Sequence, residues 1–185
     1  MKKQLVFIGQ IATVVLFLFA GIGIFFVIGK SQHENMVYLG IILMLMGLIE
    51  GLLYYSTEKK TLIYCHDVIV AIFEFAIGIA FIIYNEGDVL TLNSACVIWG
   101  ILEIIKSILE ARQIVYECRN IKFYVIVDMV LTSICLVFGI LLCIHAERGI
   151  KLHLYITAAS LLVWSLTYIF RFFIFKQKEI KHEEN

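Results

Sequence analysis

Six ionisable side chains lie within long apolar stretches of this sequence, where burying a charge is costly. On membrane-insertion scales a charged residue at the centre of a spanning helix costs about 2.5–3.5 kcal/mol, so such residues are candidates for function. The six are Glu50, Asp67, Glu74, Glu103, Lys106 and Asp128. Glu103 and Lys106 are three residues apart. On a helix this spacing predicts an internal ion pair.

Most of these groups are expected to lie at one depth if each apolar stretch crosses a membrane. Four of them lie five or six residues from the cytoplasmic end of their stretch, and these are Glu50, Asp67, Glu103 and Asp128. At 1.5 Å per residue this is about 8–10 Å into the apolar layer. The predicted layer comprises Gln10, Glu50, Asp67, Glu103, Asp128 and Tyr168, with Lys106 and Arg171 one turn along their helices from Glu103 and Tyr168, and with Glu74 as the deepest charge.

This layer has two interpretations, and the sequence leaves both open. In the first, Asp67, Glu74, Glu103 and Asp128 form the centre of a core that responds to protons or cations. In the second, the carboxylates hydrogen-bond between helices, or pair with the two cations of the layer, and so fix the packing. The first interpretation predicts a path for ions, and the second predicts a sealed bundle.

The elements that carry these groups are six apolar segments, each long enough to span about 30 Å of hydrocarbon as a helix. Their predicted bounds are Leu5–Ile28, Met36–Tyr55, Leu62–Tyr84, Val89–Leu109, Ile121–Ile144 and Ile150–Phe175. We therefore expect one all-α membrane domain over residues 1–185, with a cytoplasmic tail at 176–185. The first segment is interpreted as an uncleaved helix, because its apolar core is longer than that of a signal peptide.

Composition supports the membrane class and excludes several others. The chain is 62% hydrophobic and 16% charged and has no proline, whereas soluble domains are about 45–50% apolar and 25% charged. It contains no Walker loop, nucleophile elbow or His-Glu-x-x-His motif, so we do not expect an enzyme, a catalytic residue or a cofactor. The cysteines and histidines have no metal-site spacing. Nucleic acid is not an expected partner.

Lys and Arg residues are distributed unequally between the two ends of the segments. Eleven lie on one side and three on the other, and the remaining one is Lys106. Because cytoplasmic loops are enriched in these residues, we expect both termini to be cytoplasmic.

The odd-numbered segments share an internal repeat. A polar residue precedes a glycine by eleven positions, or three helical turns, so both lie on one face. The three pairs are Gln10 with Gly21, Asp67 with Gly78, and Asp128 with Gly139.

The even-numbered segments align on a second pattern, in which Gly47-x-x-Glu50 matches Gly100-x-x-Glu103 and Ser165-x-x-Tyr168. Together the patterns predict three tandem helical hairpins of parallel orientation, at about 5–56, 61–112 and 121–175. Small residues allow helices to approach closely. The glycines predicted to serve this packing role are Gly21, Gly47, Gly51, Gly78, Gly100 and Gly139.

Three two-span hairpins, with glycine late in each odd segment and a Gly-x-x-Glu or related step in each even one, resemble the HdeD-like acid-resistance membrane proteins. The resemblance implies a six-span inner-membrane protein linked to acid or stress tolerance, and it supplies no catalytic residues. We expect an interaction or protective component in the lipid bilayer, with a homo-oligomer or another membrane protein as partner. The alternative is a small proton- or cation-conducting channel or transporter that uses the carboxylate layer.

Overall fold

The protein is an all-α membrane protein. The computed structural model describes residues 2–56, 65–84, 91–117, 122–144 and 150–183, and these ranges contain six helices and no strand. The helices are α1 (Lys2–Val27), α2 (Gln32–Ser56), α3 (Cys65–Ile83), α4 (Leu92–Glu117), α5 (Lys122–Ile144) and α6 (Ile150–Glu183).

Five of the six helices are long and apolar enough to cross a membrane. In α3 the apolar stretch runs over Val68–Ile83 and is shorter, and the predicted start of this span at Leu62 lies outside the described residues. Large apolar side chains cover the outer surface of the bundle, among them Phe19 and Phe26, the latter 77% exposed. In lipid such side chains are buried against acyl chains, so the exposed apolar surface is what a membrane-embedded bundle requires.

Two helices begin at capping residues that the span predictions did not use. The Ser31 hydroxyl accepts a hydrogen bond from the Glu34 backbone N–H at 3.2 Å, and the Ser31 N–H donates to the Glu34 carboxylate at 3.0 Å. This reciprocal arrangement is a capping box, and it starts α2 four residues before the predicted Met36. The Thr91 hydroxyl accepts from the Ser94 N–H at 3.2 Å and starts α4 in the same way.

Two helices continue past their predicted ends, which is a correction to the sequence analysis. Helix α4 ends at Glu117 instead of Leu109, and α6 ends at Glu183 instead of Phe175. Most of the predicted tail, from Lys176 to Glu183, is therefore helical. Neither extension contains Gly or Pro, and Lys, Glu, Gln and Arg are good helix formers. The end of the apolar stretch is therefore not the end of the helix.

The helices pack in a ring in which the tightest pairs join neighbouring hairpins. Helix α2 packs extensively on α3, α4 on α5, and α6 on α1, while α1 also packs on α2, and α5 on α6. Helices α2, α4 and α6 are more buried than α1 and α5. Each tight pair has the second helix of one hairpin against the first helix of the next. The pattern is not equal around the bundle, because α3 and α4 contact one another much less than α1 and α2 or α5 and α6 do.

Close backbone contacts at small residues define the register of each tight pair. A methyl group added at Gly40, Gly100 or Gly21 would lie 2.7, 2.8 or 3.1 Å, respectively, from a backbone carbonyl oxygen of the facing helix. The facing residues are Gly78 for Gly40, Gly139 for Gly100, and Ala158 for Gly21. These distances leave no space for a side chain, so small residues permit the approach.

This register corrects the alignment of α4. It matches Gly100 with Gly40 instead of Gly47, a shift of seven residues, or about two helical turns. The α4 counterpart of Gly47 is therefore Ser107. Residues two helical turns apart lie on almost the same face of the helix. The sequence pattern therefore fits both alignments of α4 and does not distinguish them.

The two remaining glycines predicted to pack differ from one another. A methyl group on Gly47 would collide with the backbone of Ala71 and would lie 2.7 Å from the amide nitrogen of Phe75. On Gly51 it would meet only the Ala71 methyl at 4.0 Å, which is ordinary van der Waals contact. Gly47 is thus at a close contact between α2 and α3, and Gly51 lies beside it.

Candidate functional site: a buried lysine between two glutamates

The ammonium group of Lys106 lies in the interior of the bundle, and its side chain is only 5% exposed. Nζ donates hydrogen bonds to Glu50 Oε1 on α2 and, at 3.2 Å, to Glu74 Oε1 on α3. We call Glu50, Glu74 and Lys106 the lysine cluster. Because its three residues come from α2, α3 and α4, the cluster joins all three helices.

Aromatic side chains from the other side of the bundle complete the surroundings of the ammonium group. Nζ lies 5.1 Å from the ring centroid of Phe17 on α1 and 5.5 Å from that of Trp164 on α6. A cation at this distance is attracted by the negative face of an aromatic ring. The Tyr168 hydroxyl on α6 donates to Glu50 Oε1 at 3.4 Å. Side chains from five helices therefore meet at a single cation.

Glu103 lies one turn before Lys106 on α4, but its carboxylate has different partners. Oε1 accepts hydrogen bonds from Trp99 Nε1 at 3.3 Å and Ser160 Oγ at 2.9 Å, and Oε2 accepts from Trp164 Nε1. Hydrogen bonds to an ionised acceptor are stronger than neutral ones. Three such donors hold Glu103 in place and fix α4 against α6.

The predicted internal pair of Glu103 with Lys106 is therefore wrong. Within the described residues the ion-pair partners of Lys106 are Glu50 and Glu74. The physical reason is that the three donors around Glu103 occupy both its oxygens, whereas α2 and α3 bring two other carboxylates to the ammonium group.

The structure brings only part of the predicted layer together. Glu50, Glu74, Lys106 and Tyr168 meet in and around the lysine cluster. The other members lie elsewhere or are not described. Asp128 is buried on α5 and Gln10 is half-buried on α1, while Asp67 and Arg171 lie on α3 and α6 with side chains outside the described residues.

Of the aromatic and hydroxyl partners, only Tyr168 was predicted from the sequence, and the others are Phe17, Trp99, Ser160 and Trp164. Trp99 precedes Glu103 by four residues, a spacing that predicts contact on a helix, so this neighbour was detectable. Phe17, Ser160 and Trp164 come from other helices. Nothing in the sequence gives the rotation of those helices about their axes, and so these contacts required the tertiary structure.

The arrangement can bind charge but is not a metal site of recognisable type. Within the described ranges no group of three or more His, Cys, Asp or Glu side chains is placed to hold a metal ion. Glu74 Oε2 is buried and has no hydrogen-bond partner among the described residues. A buried carboxylate oxygen without a partner is costly, so it marks the place in the cluster where a further positive charge would be accepted.

Comparison of the chain with protein-family models, with characterised proteins and with solved structures finds no match.

Proposed function

We propose that this protein is a compact inner-membrane protein of the stress- or acid-resistance type that acts as an interaction or protective component. The observation that carries the proposal is the enclosure of the lysine cluster. Glu74 and Lys106 have side chains 2% and 5% exposed, and groups from four other helices surround the ammonium. A buried ion pair that joins several helices is suited to hold a bundle in one arrangement.

The absence of proline from the chain also supports a rigid bundle over a carrier. Transporters commonly bind substrate where spanning helices are interrupted, often at Gly or Pro near the middle of the membrane. The described helices are continuous over their full lengths, and their interior glycines lie at contacts between helices. The proposal places both termini in the cytoplasm, because eleven of the Lys and Arg residues lie on that side.

The test is survival of bacterial cells after acid exposure. Cells that lack the protein should survive acid exposure less well than cells that contain it, and expression of the full chain should restore survival. Lys106→Met should fail to restore it even at matched protein amounts in the membrane, because the bundle loses the cation on which five helices converge. Lys30→Met, which alters an exposed ion pair with Glu34, serves as the matched control.

Equal survival of cells with and without the protein would contradict the proposal. Protein amounts must be measured in the membrane fraction, since a destabilised variant is degraded in cells.

A second candidate function, conduction of protons or cations, is favoured by one observation. Glu74 Oε2 is buried without a hydrogen-bond partner among the described residues, and ionisable side chains inside a membrane are typical of ion and proton pathways. The proposed sealed bundle predicts that liposomes containing the purified protein pass no more protons or potassium than empty liposomes when a gradient is applied.

The flux assay separates the two candidates. Flux that is present in the full chain and abolished by Glu74→Gln or Asp67→Asn, but not by Glu34→Gln, would establish the conducting function and overturn the sealed one. Glu34 is a suitable control because its carboxylate is exposed at the other end of the bundle, in the capping box of α2.

A further inference from the structure

The lysine cluster contains one more acidic group than it has positive charges. Glu50 and Glu74 both contact the same ammonium group, so two ionised carboxylates would leave the cluster with a net charge of −1. An unbalanced charge buried away from water is strongly disfavoured. The cluster therefore requires a further positive charge.

The groups that face the cluster do not supply that charge. Helix α1 contributes the ring of Phe17, and α6 contributes the ring of Trp164 and the hydroxyl of Tyr168. On α4 the nearest ionisable neighbours along the helix are Glu103 and Glu110, which are both acidic and buried. On α3, Asp67 precedes Glu74 by two turns and is acidic as well. Among the side chains that the structure describes, every titratable neighbour adds negative charge or none.

The two carboxyl groups also contact the same nitrogen atom, Lys106 Nζ, and therefore lie close to one another. An ionised carboxylate has no proton to donate and acts only as an acceptor. Two ionised carboxylates would therefore repel at this distance. If one of them is protonated, its O–H donates to the other. A proton at this position also satisfies the Glu74 carboxyl, whose Oε2 otherwise has no partner among the described residues.

We propose that Glu50 and Glu74 bind one shared proton beside Lys106, so that the bundle contains a single proton-binding site built from α2 and α3. In this state one carboxylate balances the ammonium and the other carboxyl group is neutral. The site forms no covalent bond other than O–H and requires no further reactant.

A metal ion fits this position less well than a proton. Lys106 already occupies the space between the two Oε1 atoms, and it would repel a second cation. Mg²⁺ and Ca²⁺ require six or more oxygen ligands, whereas the contacts of the cluster provide the two carboxylates and the hydroxyl of Tyr168. A proton needs only the two carboxylate oxygens.

This site does not depend on the proposed function, because a sealed bundle and a conducting one can both hold a proton. Infrared difference spectroscopy of the purified full chain in lipid nanodiscs tests it directly. A protonated carboxyl group has a carbonyl stretch that ionised carboxylates lack and that shifts in D2O. We expect this band at neutral pH, and we expect Glu34→Gln to leave it unchanged.

The sharing of one proton gives a distinctive result for the variants. Either Glu50→Gln or Glu74→Gln alone should remove the same band component, because the remaining carboxylate then pairs with Lys106 in its ionised form. The double variant should remove no more of the band than either single variant. Each glutamine is nearly isosteric with glutamate, and thermal unfolding of each variant, followed in parallel, establishes that it is folded.

Three results would overturn the proposal. The first is absence of the band from the unaltered chain at neutral pH. The second is a band that both single variants leave intact, or that they reduce additively, since separate protons would then be present. The third is loss of the band on addition of sodium chloride at constant pH, which would show that the position binds a metal cation in competition with the proton.

Discussion

Replacement of Lys106 by methionine is expected to destabilise the folded protein by about 3–5 kcal/mol, the cost of removing one partner from a buried ion pair. Methionine is apolar and of similar length, so the loss comes mainly from the charge. Without the ammonium group, Glu50 and Glu74 face one another inside the bundle with no cation within ion-pair distance among the described residues. Thermal unfolding in detergent, monitored by the monodisperse fraction, measures the effect.

The matched control is Lys30→Met. Lys30 forms an ion pair with Glu34 at 3.7 Å, but its side chain is 57% exposed. Exposed pairs contribute about 0–1 kcal/mol, so this variant should unfold close to the temperature of the unaltered chain. A melting temperature for Lys106→Met equal to that of Lys30→Met would show that the cluster does not hold the bundle together.

A combined variant separates lost charge balance from lost packing. Adding Glu50→Gln and Glu74→Gln to Lys106→Met removes the two carboxylates that the methionine left unpaired. Replacing all members of a buried ionic group often leaves the stability of the fold unchanged, whereas removing one member lowers it. The triple variant should therefore recover a large part of the stability lost in Lys106→Met. If the triple variant is no more stable than Lys106→Met, the loss of stability comes from lost packing of the lysine side chain.

Replacement of Gly78 by alanine is expected to cost about 3 kcal/mol, at the upper end of the usual range for overpacking. The added methyl group would lie 2.5 Å from the Met44 backbone nitrogen and 2.6 Å from the Gly40 carbonyl oxygen. Both atoms belong to the backbone of α2 and cannot rotate away as a side chain would. Helices α2 and α3 must then separate, which lowers the melting temperature by about 2–4 °C per kcal/mol for a chain of this size.

Gly51→Ala provides the control on the same pair of helices. Its methyl group would meet only the Ala71 methyl at 4.0 Å, and alanine favours a helix over glycine by about 1 kcal/mol. The melting temperature should therefore stay the same or rise. If Gly78→Ala and Gly51→Ala behaved alike, the close approach of α2 and α3 at Gly78 would not be a determinant of stability.

The helical membrane class could be predicted from the sequence because each of its causes is local. Lipid provides no hydrogen-bond partner for an open backbone, so long apolar segments must be helical. The true start of α2 was also present in the sequence, since Ser31-x-x-Glu34 has the spacing of a capping box. The helical ends at Glu117 and Glu183 were not predicted, because hydropathy locates the membrane boundary and does not locate where the helix ends.

The Gly-x-x-Glu pattern of the even-numbered helices can be aligned on α4 in two ways. Ser107-x-x-Glu110 matches Gly47-x-x-Glu50 as well as Gly100-x-x-Glu103 does. The two frames differ by two helical turns and present nearly the same face. Only the contact between Gly100 and Gly139 distinguishes them.

When the three even-numbered helices are aligned on Gly40, Gly100 and Ala158, Lys106 corresponds to Met46 and Trp164 in the other two hairpins. All three are inward positions with buried side chains. The cation that binds Glu50 and Glu74 thus occupies a place where the other repeats have an apolar or aromatic residue. The buried cation is therefore a feature of α4 alone and not of the repeat.

The sequence by itself determined the membrane class, the helices and four of the buried charges, which are Glu74, Glu103, Lys106 and Asp128. Burial cost and helical periodicity depend on neighbouring residues along the chain, and these are present in the sequence. Only the tertiary structure decided which charges pair. Lys106 is three residues from Glu103 yet contacts Glu50 and Glu74, which are 56 and 32 residues away. The rotation and axial position of each helix, fixed by the close contacts at Gly40, Gly78, Gly100 and Gly139, set those distances.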